Sequence, residues 1–224
     1  LAQSIQYTIY SSELKEVVEL YKKEKSPSSY IIDKYDYLFR CIHLELIRGL
    51  LSHIYILDVC RTAHRIAISK GFCCRPEMTE AMDLSITGFV HPFTEGGRMN
   101  DWKMTNGNNI CILTGSNMAG KSTTLKAITI SVWLAHCGLP VPARSMTSPV
   151  FDGIYTSINL PDSLRDGRSH FMAEILRIKE VLQKAKSGKR CLIILDEMFR
   201  GTNAQDAFEA SIAVNELLRK YPHC

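Results

Sequence analysis

The sequence predicts an α/β fold in which helices cover both faces of a mainly parallel sheet, preceded by a helical segment. Two short, uninterrupted apolar runs, Ile110–Leu113 and Cys191–Leu195, are typical of parallel strands that are buried on both faces. Helical stripes of apolar residues follow or separate these runs, so strands and helices alternate along the chain. Such alternation indicates a three-layer arrangement with short connections.

The first part of the chain shows only helical periodicity. One apolar face precedes a break at Ser26-Pro27-Ser28, and a longer stripe follows it. The longer stripe is broad, as expected for a helix that packs against other helices. The stretch Gly71–Pro76 then separates two predicted domains, residues 1–75 and 76–224. The two faces comprise Leu14, Val17, Val18 and Tyr21, and then Ile42, Leu46, Leu50, Ile54 and Leu57.

Three helices and one further strand complete the predicted α/β domain. A helix follows the glycine-rich turn after Leu113 and ends near Gly138, and Phe151–Ile158 is predicted as a strand. A second helix ends at Ser187-Gly188, and a third covers Ala204–Lys220. The stripes of the first two helices are Leu125, Ile128, Val132 and Ala135, and Phe171, Ile175, Ile178, Leu182 and Ala185.

Composition and charge limit the possible functions. The net charge of +4 over 224 residues is small, and no basic stripe with interleaved aromatic residues argues for direct DNA binding. No apolar run approaches the roughly 18 residues that cross a bilayer, so we expect a cytoplasmic chain without membrane contact. The eight cysteines lack metal-ligand spacing and are expected to be free thiols, several of them buried, such as Cys111 and Cys191. Since the chain opens on Leu1 and stops soon after a helical pattern, we expect a fragment of a longer protein.

The glycine-rich turn carries the clearest chemical signal, because it fits the phosphate-loop pattern G-x-x-x-x-G-K-[ST]. Glycines permit backbone angles closed to other residues, so successive N–H groups can point at a phosphate. The following helix adds its positive N-terminal end. We expect Lys121 to reach the outer phosphates of ATP and the Ser122 hydroxyl to hold Mg²⁺. The pattern comprises Gly115, Ser116, Asn117, Met118, Ala119, Gly120, Lys121 and Ser122.

Two carboxylates, Asp196 and Glu197, end the second apolar run. A buried strand that ends in two acids is costly unless something cationic lies there. Asp196 is predicted to bind Mg²⁺, directly or through water, and Glu197 to act as general base for the attacking water. Such a pair alone could be a solvated turn, but together with the phosphate loop it indicates hydrolysis rather than nucleotide binding only.

The whole pattern resembles the MutS family of DNA mismatch repair ATPases, a branch of the ABC-type ATPases. The resemblance is strong over residues 84–220, and the helical segment before them is similar to the end of the family's lever domain. It implies an ABC-type P-loop NTPase domain that stops before the strand of the family's switch histidine. The matching residues are Thr114-Gly115-Ser116-Asn117-Met118-Ala119-Gly120-Lys121-Ser122-Thr123, Gly167-x-Ser169-x-Phe171-Met172-x-Glu174 and Asp196-Glu197-x-x-Arg200-Gly201-Thr202.

The resemblance implies an ATP site shared between two subunits. Residues 115–123 would bind ATP, with Lys121 and Glu197 as catalytic residues and Ser122 and Asp196 as Mg²⁺ ligands. The partner, a second copy or a paralogue, would place its Ser169 against the γ-phosphate. Judged from the residues alone, Ser169 is equally well explained as a helix N-cap. DNA would be handled by regions mostly outside this chain.

Departures from the family pattern indicate a divergent branch. Met198-Phe199 replaces a small hydrophobic residue followed by glycine, and Ser116 stands where a proline is usual. Residues 203–207 also differ from the family's run. Two alternatives stay open: a nucleotide-gated dimerisation module with negligible hydrolysis, and another ABC-type DNA ATPase.

Overall fold

The computed structural model describes residues 2–9, 15, 18–19, 22, 28–72, 74–158, 170–199 and 202–224. By its internal contacts the chain divides into two units, Leu1–Arg65 and Ile66–Cys224. The predicted signature segment Gly167–Ser169 and the residues Arg200 and Gly201 lie outside the described residues.

Most of the described residues before Gly71 are helical, as predicted, whereas Leu14, Val17 and Tyr21 of the first predicted face lie outside the described residues. Ser28, in an extended conformation, precedes α2, and the carbonyl of Ser28 accepts the first helical hydrogen bond from Ile31. The long helix α3 ends where Gly71 adopts a φ of 70°. Among the described residues, no helix is long and apolar enough to cross a membrane. The elements are α1 (Ala2–Ile9), α2 (Ser29–Tyr37), a short π-helix (Leu38–Ile42) and α3 (Leu44–Lys70).

The remaining elements combine six strands with three helices among the described residues, which confirms the predicted α/β class. They form a four-stranded sheet of order β1-β4-β2-β3 and a two-stranded sheet in which β5 and β6 run parallel. The elements are β1 (Glu77–Thr79), β2 (Leu84–Phe89), β3 (Asn100–Met104), α4 (Lys121–His136), β4 (Ser145–Pro149), β5 (Gly153–Ser157), α5 (His170–Lys186), β6 (Cys191–Leu195) and α6 (Ala204–Leu218).

The four-stranded sheet departs from the mainly parallel arrangement that was predicted. Its strand β2 pairs antiparallel with both β3 and β4, and only β1 and β4 are parallel within this sheet. Antiparallel neighbours need no helical crossover, and the connection between β2 and β3 contains no helix. The sheet is therefore mixed.

The prediction of a strand at Ile110–Leu113 is wrong for the described structure. This segment has no regular secondary structure, and Ile112 is 68% exposed. An apolar run becomes a strand only when a neighbouring strand pairs with its backbone, and no described strand does so here. Cys111 is consequently exposed, whereas Cys191 in β6 is buried as expected.

Two apolar clusters cover the two faces of β6. Leu192 and Ile194 belong to a cluster with α4 and β2, while Ile193 and Leu195 pack against a cluster built from α5 and α6. Successive strand residues point to opposite faces, so this alternation places helices on both sides of β6. Complete burial of a large side chain such as Ile128 or Val214 contributes about 1.5–3 kcal/mol. The carboxyl end of β6 is thereby held between two packed layers.

A histidine connects the end of α4 to the start of β5. His136 Nε2 accepts the backbone N–H of Phe151 at 2.9 Å, and His136 Nδ1 lies 2.8 Å from the carbonyl of Val132. With Nε2 as acceptor, Nδ1 is the nitrogen that carries the proton. The His136 ring also stacks on the Phe151 ring, with centroids 5.8 Å apart. The side chain therefore satisfies a backbone group that no sheet partner reaches.

We expect His136→Ala to lower the free energy of unfolding by about 1–3 kcal/mol, because it leaves the Phe151 N–H without its acceptor. Urea denaturation followed by circular dichroism measures the change. His64→Ala, at an exposed position of α3, is the matched control and should stay within about 0.5 kcal/mol. Equal effects of the two substitutions would contradict the role given to His136.

Candidate nucleotide site

Residues 115–120, called the glycine-rich loop below, form a turn in front of α4, and residues 115–119 are exposed. The Ala119 N–H donates to the carbonyl of Ser116 at 3.3 Å, which closes the turn. Met118 and Gly120 have φ values of 63° and 90°. Glycine enters this left-handed region freely, whereas methionine does so at a cost. The Met118 side chain is fully exposed, so the loop holds it by backbone geometry rather than by packing.

Helix α4 starts directly from this loop. Its N-cap is Gly120, which offers no side-chain cap, so the first N–H groups of the helix are left for another acceptor. An anion is a suitable acceptor, because the helix dipole places partial positive charge at this end. Ser122 and Thr123 lie in the first turn, with Ser122 half-buried and Thr123 exposed.

Lys121 reaches back across the glycine-rich loop. Its Nζ donates to the carbonyl of Gly115 at 2.7 Å and to the carbonyl of Ser116 at 2.8 Å. The ammonium group is thus held over the mouth of the loop by two neutral acceptors. Phosphate oxygens carry negative charge and form stronger hydrogen bonds with an ammonium group than carbonyls do. Lys121 can therefore exchange these carbonyls for a phosphate.

The two acids at the end of β6 differ in their surroundings. The Asp196 N–H still pairs with the carbonyl of Ser157 in β5 at 2.9 Å, so the sheet fixes the backbone of Asp196. Asp196 Oδ2 is buried and has no hydrogen-bond partner among the described residues. Glu197 is exposed and has a φ of 48°, which turns the chain sharply away from the strand. One carboxylate is thus fixed by β6 and the other projects from a tight turn.

A cavity of about 360 Å³ is lined by the lysine and by both acids. Lys121, Asp196 and Glu197 all contribute to its wall. Most of the remaining lining is apolar, and it includes Trp102, Leu125, Ile128, Phe151 and Ile193. Apolar walls lower the local dielectric constant and so strengthen the interactions of the few charged groups. Of the predicted site residues, these three are the ones that the structure places around one cavity.

A hydrogen bond between Glu174 and Phe199 holds the turn after Glu197, and it was not predicted from the sequence. Glu174 in α5 is 4% exposed, and its Oε1 accepts the backbone N–H of Phe199 at 2.6 Å. Phe199 is itself buried and has a φ of 63°. The sequence signal that could have indicated this contact is the position of Glu174, an acid among the apolar residues of the stripe on α5. Asn203, within the run 203–207 that departs from the family pattern, caps α6 by accepting the Asp206 N–H at 2.9 Å.

Two thiols lie together at another part of the cavity wall. Cys191 Sγ and Cys224 Sγ both donate to the carbonyl of Lys189, at 3.3 Å and 3.7 Å. Burial raises the pKa of the Cys191 thiol above its ordinary value. Burial, and next the neighbouring Cys191, raise the pKa of the Cys224 thiol to about 12. Both thiols are therefore protonated and weakly nucleophilic near neutral pH.

Comparison with known proteins gives consistent similarities. The family profile described as MutS domain V matches residues 111–224. The DNA mismatch repair protein MutS of Granulibacter bethesdensis is 39% identical over 170 residues, which are 72% of this chain and 18% of that protein. Its counterpart from Lactococcus lactis subsp. cremoris is 33% identical over 224 residues, covering 94% of this chain and 26% of that protein. The DNA mismatch repair protein msh3 of Botryotinia fuckeliana is 33% identical over 190 residues, 81% of this chain and 16% of that protein.

We expect iodoacetamide at pH 8 to alkylate Cys224 at least about ten-fold more slowly than Cys111, because the pKa of Cys224 is raised to about 12 and Cys111 is exposed. Peptide mass spectrometry over time measures both rates, and urea should abolish the difference. Since the folded pKa of about 12 exceeds the ordinary value of 9.0, the folded state binds the proton more tightly. The free energy of unfolding should therefore fall as pH rises above about 9. Equal labelling rates in the folded chain would contradict this assignment.

Proposed function

This chain belongs to the MutS family, and we propose that it is the part of a MutS protein that binds and hydrolyses ATP. The chain spans only about a quarter or less of the relatives compared above. The observation that carries the proposal is the cavity shared by Lys121, Asp196 and Glu197. We further propose that the domain is an ABC-type P-loop NTPase, whose ATP-driven dimerisation is coupled to DNA handling.

Binding of the triphosphate would rest on the glycine-rich loop and the start of α4. Backbone N–H groups of residues 115–120 surround one phosphate, and the helix dipole adds attraction for its charge. Lys121 leaves the carbonyls of Gly115 and Ser116 and pairs with the outer phosphate oxygens. Asn117 lies within the same loop, where its amide can approach the phosphates. Ser122 and Thr123 complete the set on the first helical turn.

The residues present fit a magnesium ion. Mg²⁺ prefers oxygen ligands and is commonly held by one or two protein oxygens together with substrate phosphates. Asp196 supplies a carboxylate whose Oδ2 has no described partner, and Ser122 supplies a hydroxyl. When bound, Mg²⁺ would neutralise charge on the phosphates and orient them.

Hydrolysis would depend on Glu197 as general base. Its carboxylate accepts a proton from the water that attacks the γ-phosphate. The phosphoryl group is still negatively charged in the transition state. Fixed positive groups such as Lys121 therefore lower the barrier to hydrolysis, because they orient this group and stabilise its charge. The exposed Glu197 side chain on its tight turn is accessible to such a water.

We propose that two copies, or this chain and a paralogue, complete each ATP site together. Ser169 of one subunit would offer its hydroxyl and the N–H groups at the start of α5 to the γ-phosphate bound by the other. Similarity to proteins described as DNA mismatch repair proteins supports a role in that process. DNA contacts would come mostly from regions outside this chain, since its net charge is only +4.

A second candidate is a nucleotide-gated dimerisation module with negligible hydrolysis. It is favoured by the irregular backbone of Ile110–Leu113, which leads directly into the glycine-rich loop. A loop without a paired strand behind it can bind phosphate, yet place the γ-phosphate too loosely for catalysis.

We expect Lys121→Ala to weaken ATP binding about a hundred-fold, because two charge-assisted hydrogen bonds are lost. Glu197→Gln should bind ATP like the wild type but turn over about 10²–10⁴-fold more slowly. Isothermal titration calorimetry and phosphate release measure the two properties. Lys179→Ala and Glu180→Gln, exposed positions on α5, are the matched controls and should leave both unchanged. Turnover of Glu197→Gln at the wild-type rate would remove Glu197 from its role.

ATP with Mg²⁺ should double the molar mass of the Glu197→Gln chain in light-scattering measurements, since trapped ATP bridges two subunits. Lys121→Ala should remain a monomer, and Ser169→Ala should weaken the dimer, whereas Ser69→Ala on α3 should not. ATP-dependent dimers of the wild type without any phosphate release would favour the gating module. A mass that does not respond to ATP would contradict the shared site.

A further inference from the structure

We propose that the Glu174 carboxylate is a positioning group that holds the turn carrying Glu197, and so sets the direction of the Glu197 side chain. This inference rests on the proposed ATPase function. It starts from the turn itself, in which Glu197 and Phe199 have φ values of 48° and 63°. Residues with a Cβ atom are strained in this region of backbone space, because the Cβ atom comes too close to the following carbonyl oxygen. The turn therefore needs outside support to persist.

Among the described residues, two contacts of Phe199 contribute to this support. Its ring is buried in the cluster between α5 and α6, with Ile178 and Val214 among its neighbours. Its backbone N–H donates to Glu174 Oε1 at 2.6 Å, a short hydrogen bond to a carboxylate. Such charge-assisted bonds are about twice as strong as neutral ones. The strained backbone at Phe199 is thus held both by packing of the Phe199 ring and by the hydrogen bond of the Phe199 amide.

The hydrogen bond to the Phe199 N–H explains why an acid, rather than an apolar residue, occupies position 174. Glu174 is 4% exposed, and Oε2 has no hydrogen-bond partner among the described residues. An apolar side chain would pack there without the cost of desolvating a carboxylate. The Phe199 N–H is the polar group that Glu174 satisfies.

The contact also links two parts of the proposed dimer. Glu174 lies in the first two turns of α5, which begins directly after Ser169, and Phe199 lies two residues after Glu197. The hydrogen bond between Glu174 and Phe199 therefore connects α5 with the turn that carries the general base Glu197. In the proposed dimer, α5 follows the segment that faces the nucleotide of the partner. A shift of α5 on dimerisation would reach Glu197 through this bond.

The test compares Glu174→Leu, Glu174→Gln and the exposed control Glu180→Leu in the full chain. Glu174→Leu removes the acceptor, so kcat should fall about ten- to a hundred-fold while KM for ATP stays within about three-fold. Glu174→Gln keeps an oxygen acceptor and should recover most of kcat. Hydrogen exchange at the Phe199 amide should accelerate in Glu174→Leu only.

Three outcomes would overturn the proposal. The first is an unchanged kcat and unchanged Phe199 exchange in Glu174→Leu. The second is a loss of ATP binding and melting temperature in parallel with kcat, which marks a merely structural role. The third is a Glu174→Gln variant as impaired as Glu174→Leu. Failure of the wild type to bind or hydrolyse ATP would instead refute the proposed function, and the Phe199 exchange rates would still report on the contact.

Discussion

The end of β6 imposes the constraint on which the rest of the structure depends. A strand covered by helices on both faces leads into two carboxylates, Asp196 and Glu197, at the wall of a mostly apolar cavity. Buried carboxylate oxygens are unfavourable unless positive charge or hydrogen-bond donors face them. Lys121 reaches the same cavity from the start of α4, and Asp196 Oδ2 has no hydrogen-bond partner among the described residues. The apolar layers on the two faces of β6 thus fix the place at which these charged side chains line the cavity.

Much of the fold could be predicted because its signals are local. The helices of the first unit and α4, α5 and α6 show apolar periodicity, and β6 is an uninterrupted apolar run with both faces covered. The strand predicted at Ile110–Leu113 failed because an equally apolar run needs a distant partner for its backbone, and sequence spacing does not reveal that partner. The mixed sheet was missed for the same reason, since β2 pairs antiparallel with β4, which follows α4 in the chain.

In the candidate site, too, local features could be predicted from the sequence and long-range contacts could not. The glycine-rich loop and the acidic pair are short motifs whose chemistry is contained in neighbouring residues, so Lys121, Asp196 and Glu197 can be proposed from the sequence alone, and all three line one cavity. The Glu174 hydrogen bond spans 25 residues and depends on a positive φ at Phe199, which nothing in local propensity predicts. Where the family pattern has glycine, this chain has Phe199, and burial of its ring together with one carboxylate replaces the conformational freedom of glycine.

We propose that Lys121 and Asp196 form one site for ATP and Mg²⁺. Equilibrium binding of ATP to the wild type and to Asp196→Asn, each measured in Mg²⁺ and in EDTA, tests it most directly. We predict that EDTA weakens ATP binding by the wild type about ten-fold or more, and that Asp196→Asn binds ATP weakly with little dependence on Mg²⁺. Wild-type affinity that is the same in Mg²⁺ and EDTA, or a wild-type response to Mg²⁺ in Asp196→Asn, would contradict this account.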